Sequence, residues 1–376
     1  MKSYALKTGP GDVNRALTSF LKQLLERGVV DAILVPRATR SGTSVVQALV
    51  KDPVAMEGAL PLAPLAMQNA ARQVSSLTVQ DPGQKLGVVL RSCETRALVE
   101  LVKLHQATMD NLLIIGIDCP GTFEPANYKK LVETGNFDPE QWLTRAAMGE
   151  TAVNDTDVRA ACALCRHVTA EHAGIHVGYV GYVGIDPTKE LLVQVQDEEL
   201  AGALAELGLA EYQVHASRDE TITRIRAARE EEYRQQAAAL AEKTGTLAGT
   251  TDLLAACLRC HNCRQACPIC FCQECVFAGP LFKHQPGDYL GWAQKKGVIK
   301  MPTDTMLFHL TRINHMGLSC VGCGHCQSAC PVGIPLTVLF RSAGQKVQDI
   351  FGYTPGRDVG EELPLATYQV SELEPR

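Results

Sequence analysis

Residues 85–118 read KLGVVLRSCETRALVELVKLHQATMDNLLIIGID. KLGVVL is a short apolar run of the kind buried on both sheet faces, and NLLIIGID, 111–118, is another. The intervening ETRALVELVKLHQ carries the spacing of a helix. A strand, a helix and a strand at this length lay two strands side by side in parallel, because a crossover must return the chain to the same end of the sheet. Upstream, VNRALTSFLKQLLERGVV (13–30) places Leu17, Phe20, Leu21, Leu24 and Leu25 on one helical face, and DAILVP (31–36) is a further buried strand. A polar loop, RATRSGTSV, follows it, and PLAPLAMQNAARQVSSL (61–77) is a proline-bounded turn feeding a helix. These elements predict an α/β domain with a mostly parallel sheet.

Further along, residues 187–245 read as mainly helical, and DETITRIRAAREEEYRQQAAALAEK (219–243) as a charged helix projecting from the sheet. GTLAGTTD (245–252) reads as a small-residue linker, and GYVGYVG (178–184) as a strand with close backbone approach. The expected division is therefore 1–245 for the α/β domain, 246–345 for a cysteine-rich helical domain, and 346–376 for a tail with little pattern.

Composition narrows the function. With 46% apolar and 20% charged residues the chain is globular, and no apolar run approaches the ~20 residues of a membrane span. A net charge of -5 argues against nucleic-acid binding through phosphates. The opening MKSYALKTGPGDVN has Gly, Pro and Asp where an export signal needs an apolar stretch, so a cytoplasmic protein is expected. In a reducing compartment, fifteen cysteines point to metal or cluster ligation rather than a disulfide framework.

Eleven of the fifteen lie between Cys257 and Cys330. CLRCHNCRQACP supplies Cys257, Cys260, Cys263 and Cys267, and CVGCGHCQSACP supplies Cys320, Cys323, Cys326 and Cys330, each run closing on Pro. Both read C-x2-C-x2-C-x3-C-P, the bacterial ferredoxin spacing, in which three thiolates wrap one cubane cluster and the fourth reaches its neighbour. Crossed ligation is expected: Cys257, Cys260, Cys263 and Cys330 around one 4Fe-4S cluster, and Cys320, Cys323, Cys326 and Cys267 around the other. Structural zinc is the competing reading, but zinc favours two separated ligand pairs and gives no reason for a duplicated four-cysteine run. The long insert 268–319 predicts a helical version of the module, and Cys270, Cys272 and Cys275 within it stay unassigned.

Cys93 and Cys119 follow the two strands of the opening stretch, so both stand at the carboxyl ends of neighbouring parallel strands, where open α/β sheets gather ligands. With the pair Cys162 and Cys165 they make four thiols, enough for a third 4Fe-4S cluster. The alternative is two small buried residues and a pair that binds zinc or nothing. No nucleotide fingerprint or Walker loop appears, and His105, His172, His176, His261 and His325 lack ligand spacing and read as packed or surface side chains.

RSCETRALVELVKLHQATMDNLLIIGIDCPGTFEPANY (91–128) resembles the coenzyme F420 hydrogenase/dehydrogenase beta-subunit family, above all the beta subunits of formate dehydrogenases. DAILVPRATR, PLAPLAMQNAA, CLRCHNCRQACPICFCQEC and HMGLSCVGCGHCQSACPVGIPL extend the likeness over roughly residues 10–345. The resemblance implies FAD in the α/β domain, a proximal cluster on Cys93, Cys119, Cys162 and Cys165, and an appended two-cluster ferredoxin-like domain. It also suggests flavin contacts at Arg40, Ser41, Gly42, Thr43 and Asn69. The function implied is that of a flavin/iron-sulfur oxidoreductase subunit. It would exchange hydride with a soluble carrier, coenzyme F420 or NAD(P)H, and relay single electrons to a dehydrogenase, hydrogenase or heterodisulfide-reductase-like partner. A non-catalytic subunit that only connects two partners' redox centres is the alternative.

Overall fold

The computed structural model describes residues 2–8, 13–153, 155–181, 189–214, 216–298, 303–364 and 366–367. Ten strands occur among them: β1 (Lys2–Lys7), β2 (Ala32–Ala38), β3 (Val45–Val50), β4 (Leu86–Arg91), β5 (Leu112–Ile117), β6 (Ala152–Val153), β7 (Thr156–Asp157), β8 (Ile175–Gly178), β9 (Glu190–Val195) and β10 (Ala210–Glu211). Apart from the small β6–β7 ribbon they form one sheet in the order β10-β1-β9-β8-β5-β4-β2-β3.

β8, β5, β4 and β2 run parallel at its centre, with Leu86 opposite Leu112 and Arg91 opposite Ile117. β3 and β9 pair antiparallel to this block, and β1, antiparallel to β9, points the same way as the central strands. Five of the eight strands thus share one direction, a mixed sheet with a parallel heart.

Alternation along the central strands feeds two cores. Ile33, Val35, Val89 and Ile115 face the Val13–Glu26 helix, whose Leu17, Phe20, Leu21 and Leu24 are fully buried. Ala32, Leu34, Leu86, Val88 and Leu90 face the other way, and there they share one apolar cluster with Leu254, Phe277, Phe308, Leu336 and Phe340 of the cysteine-rich region. The helical region is therefore packed against a face of the sheet, not tethered beyond it.

Residues 187–245 are mainly helical, as expected, in the Glu198–Ala205 and Ala216–Thr244 helices, with β9 and β10 flanking the first of them. Three expectations need correction. The stretch 245–252, expected as a small-residue linker, is largely helix: Thr246 caps Leu247–Leu254 by accepting from the Gly249 N–H. The Ala216–Thr244 helix does not project. Ile222 and Ile225 enter the sheet core, and Tyr233 and Leu240 pack with Leu164 and Val338. The tail is also anchored through residue 356: the Tyr353 hydroxyl and the Gly356 N–H both donate to buried Glu100, and the Arg96 Nε donates to the Pro355 carbonyl. Of the GYVGYVG stretch, Gly178 and Gly181 do approach closely, each leaving its Cβ space to Arg218, while 182–184 lie outside the described residues. No described helix is long and apolar enough to cross a membrane.

Candidate metal centres

Cys93 enters the first turn of the Ser92–Lys103 helix directly after β4. That turn is fixed by Glu94, which accepts from the Arg91 and Ala70 N–H groups, while the Asn69 amide donates to the Cys93 carbonyl. Cys119 follows β5, and its N–H donates to the Val168 carbonyl, drawing the 162–168 segment over the same sheet end. The Arg159 N–H donates to the Thr122 carbonyl and closes the ring. As a result Cys93, Cys119, Cys162 and Cys165 line one pocket of about 450 Å³, with Arg91, Arg159 and Arg229 in its wall.

The donor set fits a cubane cluster. All four cysteines are free thiols. Burial pushes the Cys119 thiol up to about 12, against the pull of Arg91, and pushes Cys93 well up, helped by Glu94. At Cys162 burial also pushes upward, but Arg159 and the hydrogen bonds from Thr122 outweigh it and the thiol falls below its usual value. Ligation requires thiolates, so a cationic metal centre offsets the burial that otherwise keeps two of these groups protonated. Among the described residues no three His, Cys, Asp or Glu side chains converge as one metal ion would require. The thiols surround a volume instead.

A second pocket, about 440 Å³, is lined by Cys267, Cys320, Cys323 and Cys326, three thiols of the second run and the last of the first. The complementary set stands together too: burial raises the Cys263 thiol, and Cys257, Cys260 and Cys330 add to the rise. This is the crossed grouping. The two loops are conformational copies, with left-handed backbone at Arg259 and His261 in the first run and at Gly322 and Gly324 in the second. That geometry lets the N–H two residues after a cysteine point back at its sulfur, as Arg259 does to Cys257, Gly322 to Cys320 and His325 to Cys323. Cys270 is half-buried, its thiol raised to about 11 by burial, and Cys272 is exposed; neither they nor Cys275 line a described pocket.

The pockets adjoin. Gly322 and Cys323 line both the scattered-cysteine pocket and the second-run pocket. On the other side, Ala66 is shared with a cavity of about 560 Å³ between β3 and residues 65–68, into which Gln47, Gln68 and Gln73 also open. The Gln47 Oε1 is buried without a hydrogen-bond partner. The residues expected at a flavin do not line this cavity: Arg40, Ser41, Gly42 and Thr43 form the exposed β2–β3 turn, and buried Asn69 spends its amide on Ala71 and Cys93. The sequence carries no spacing signal for the glutamines, or for Arg91, Arg159 and Arg229.

Beside Cys119, the Asp118 carboxylate is fully buried and accepts from Arg218, His176 and the Tyr179 and Val180 N–H groups. Burial pushes this carboxyl up, but Arg218 and His176 outweigh it and hold it below its usual value. Its stabilisation is then fully present above about pH 4, the unfolded carboxyl value, and is lost as pH falls through the lower folded value. Asp118→Ala should cost about 3–5 kcal/mol by stranding Arg218. Urea unfolding of both proteins against pH checks it: the gap should narrow only in acid, and a gap constant through acid would exclude the ion pair as its source.

Residues 83–220 match the family described as the C terminus of the coenzyme F420 hydrogenase/dehydrogenase beta subunit. The F420-dependent formate dehydrogenase subunit beta of Methanocaldococcus jannaschii is 26% identical over 374 residues, covering 91% of this chain and 92% of that protein. The F420-dependent formate dehydrogenase 1 subunit beta of Methanococcus maripaludis is 27% identical over 388 residues, covering 95% and 93%. Among solved structures, a chain of the F420-reducing [NiFe] hydrogenase complex from Methanosarcina barkeri aligns with a TM-score of 0.46 at 12% identity, over 66% of this chain and 94% of that one.

Proposed function

The chain belongs to the coenzyme F420 hydrogenase/dehydrogenase beta-subunit family, and from that premise we propose that it couples a soluble hydride carrier to a partner oxidoreductase subunit through FAD and three 4Fe-4S centres. The observation that carries this reading is the unbroken series of adjoining spaces: the glutamine-lined cavity, the scattered-cysteine pocket behind Ala66, and the second-run pocket behind Gly322 and Cys323. Bound FAD would turn one hydride into two single electrons, and the clusters would carry these one at a time. In this reading residues 1–245 hold the flavin and the proximal centre, and 246–345 form the ferredoxin-like module.

The chain's own residues prepare each space. Ala66 keeps the partition between cavity and pocket one small side chain thick. The Gln47 carbonyl offers an acceptor with no internal partner, suited to an N–H on a bound ring system. Arg91 is held by the Ala63 and Leu65 carbonyls, and so carries its charge at the rim of the thiol pocket. The carrier is expected to be the deazaflavin named for the relatives.

Anaerobic mixing of FAD-loaded protein with reduced F420, and separately with NADH, tests this by flavin bleaching. Bleaching should be fast with reduced F420 and slow with NADH. If neither carrier bleaches the flavin while a reduced partner subunit does, the chain is a connector without hydride chemistry and the proposal falls.

A further inference from the structure

We infer that Arg159 is a positioning residue shared by the proximal and second-run thiol sets, setting both potentials and making the Cys320–Cys323–Cys326 centre the next station after the proximal one. The inference rests on the three-centre reading above and adds the order of the relay.

Arg159 is 2% exposed, and its guanidinium is spread between the two sets. Its Nε donates to the Thr122 hydroxyl at 2.9 Å, its Nη2 to the Cys162 sulfur at 3.5 Å, and its Nη1 lies 3.3 Å from the His325 Nδ1. His325 belongs to the second run, and its own N–H is directed at Cys323. One side chain thus joins a sulfur of the proximal set to the loop that cradles the second. Among the described residues no carboxylate stands within ion-pair distance of Arg159. A buried cation without a counterion is costly. Its guanidinium is held instead by the Thr122 hydroxyl, the Cys162 sulfur and the His325 ring, so its charge faces both thiol sets. The first-run set has no such link to Arg159, and its Cys257 lies instead against His309 at 3.4 Å.

A buried positive charge favours the more negative, reduced state of each centre it faces. Removing it should therefore lower two midpoint potentials and leave the third. The experiment is an EPR-monitored redox titration of anaerobically reconstituted full-length protein, with signals assigned by Cys93→Ser and Cys257→Ser and with iron measured in parallel. In Arg159→Met the ratio of reduced to oxidised form at fixed potential should fall at least tenfold for the proximal and second-run centres, about 59 mV for a one-electron couple, with the first-run centre unmoved. Arg159→Lys, which retains the charge and guards against loss of the fold, should shift the same two by less. A shift confined to one centre, shared equally by all three, or absent in both variants overturns the inference. Wild-type protein that binds fewer than three centres overturns the underlying reading instead, whatever Arg159 does.

Discussion

Cys93→Ser is expected to lower bound iron from about twelve atoms per chain to about eight, and to cut the flavin off from both remaining centres. The thiol of Cys93 is the one that the β4 end contributes to the proximal pocket; the other three come from the β5 end and the 162–165 segment. Serine keeps the volume but offers a hydroxyl that stays protonated where a thiolate is needed, so a cubane loses one of its four anchors. The distal sets stand on loops of their own, and their eight thiols include none from residues 93–165. Their iron should remain. Rapid mixing with the hydride carrier, following flavin bleaching and cluster reduction separately, reads the consequence: bleaching proceeds and the distal centres stay oxidised. Cys323→Ser supplies the contrast, with flavin and proximal centre reduced but nothing passed on. Iron near eight in the wild type, unchanged by Cys93→Ser, would remove the proximal centre.

The cysteines are legible in the sequence because chemistry constrains their spacing. Two four-cysteine runs raise the expectation of crossed sharing, and the fold does stand Cys267 beside Cys320, Cys323 and Cys326; two thiols after parallel strands meet at one sheet end, since β4 and β5 are paired in register to their last residues. The Ala216–Thr244 helix departs from its sequence pattern for a physical reason. Its inward seam, Arg218, Ile222, Ile225, Arg229, Tyr233 and Leu240, has helical period but carries two arginines, which look like solvent-facing charge until their partners are known. Those partners, Asp118 and the carbonyls of Pro120 and Cys165, lie more than sixty residues away in sequence. β1 escapes a reading by pattern because its six residues, KSYALK, bury only two side chains. Asn69 stands at a helix start, as its place in PLAPLAMQNAARQVSSL suggests, and its amide there bonds Ala71 and Cys93 and so orders the helix starts beneath the pocket. For the Ala216–Thr244 helix and for Asn69, local pattern marks the element and a long-range polar partner decides its use.

Two left-handed glycines, one within the second run and one just after it, provide the sharpest test of how tightly the centres are interlocked. Gly324 (φ +73°) and Gly333 (φ +66°) both cost roughly 1–2 kcal/mol when given a Cβ, from backbone alone. Their surroundings differ. At Gly333 an added Cβ meets nothing within 4 Å. At Gly324 it would stand 2.1 Å from the Ala161 Cβ and 3.2 Å from the Thr337 hydroxyl. Ala161 immediately precedes the proximal thiol Cys162, and Gly324 stands between Cys323 and His325, so relief of the clash must push the two thiol sets apart. Neither neighbour is the flexible end of a long side chain. Gly324→Ala is therefore expected to disrupt the proximal and second-run centres together, leaving about four iron atoms on the first-run set, whereas Gly333→Ala keeps all about twelve and loses only the backbone cost. Iron content and EPR signals of the two variants, prepared in parallel, decide it. If Gly324→Ala lost one centre and kept the other, the pockets would be neighbours without being mechanically joined, and the shared wall at Gly322 and Cys323 would not hold them in register.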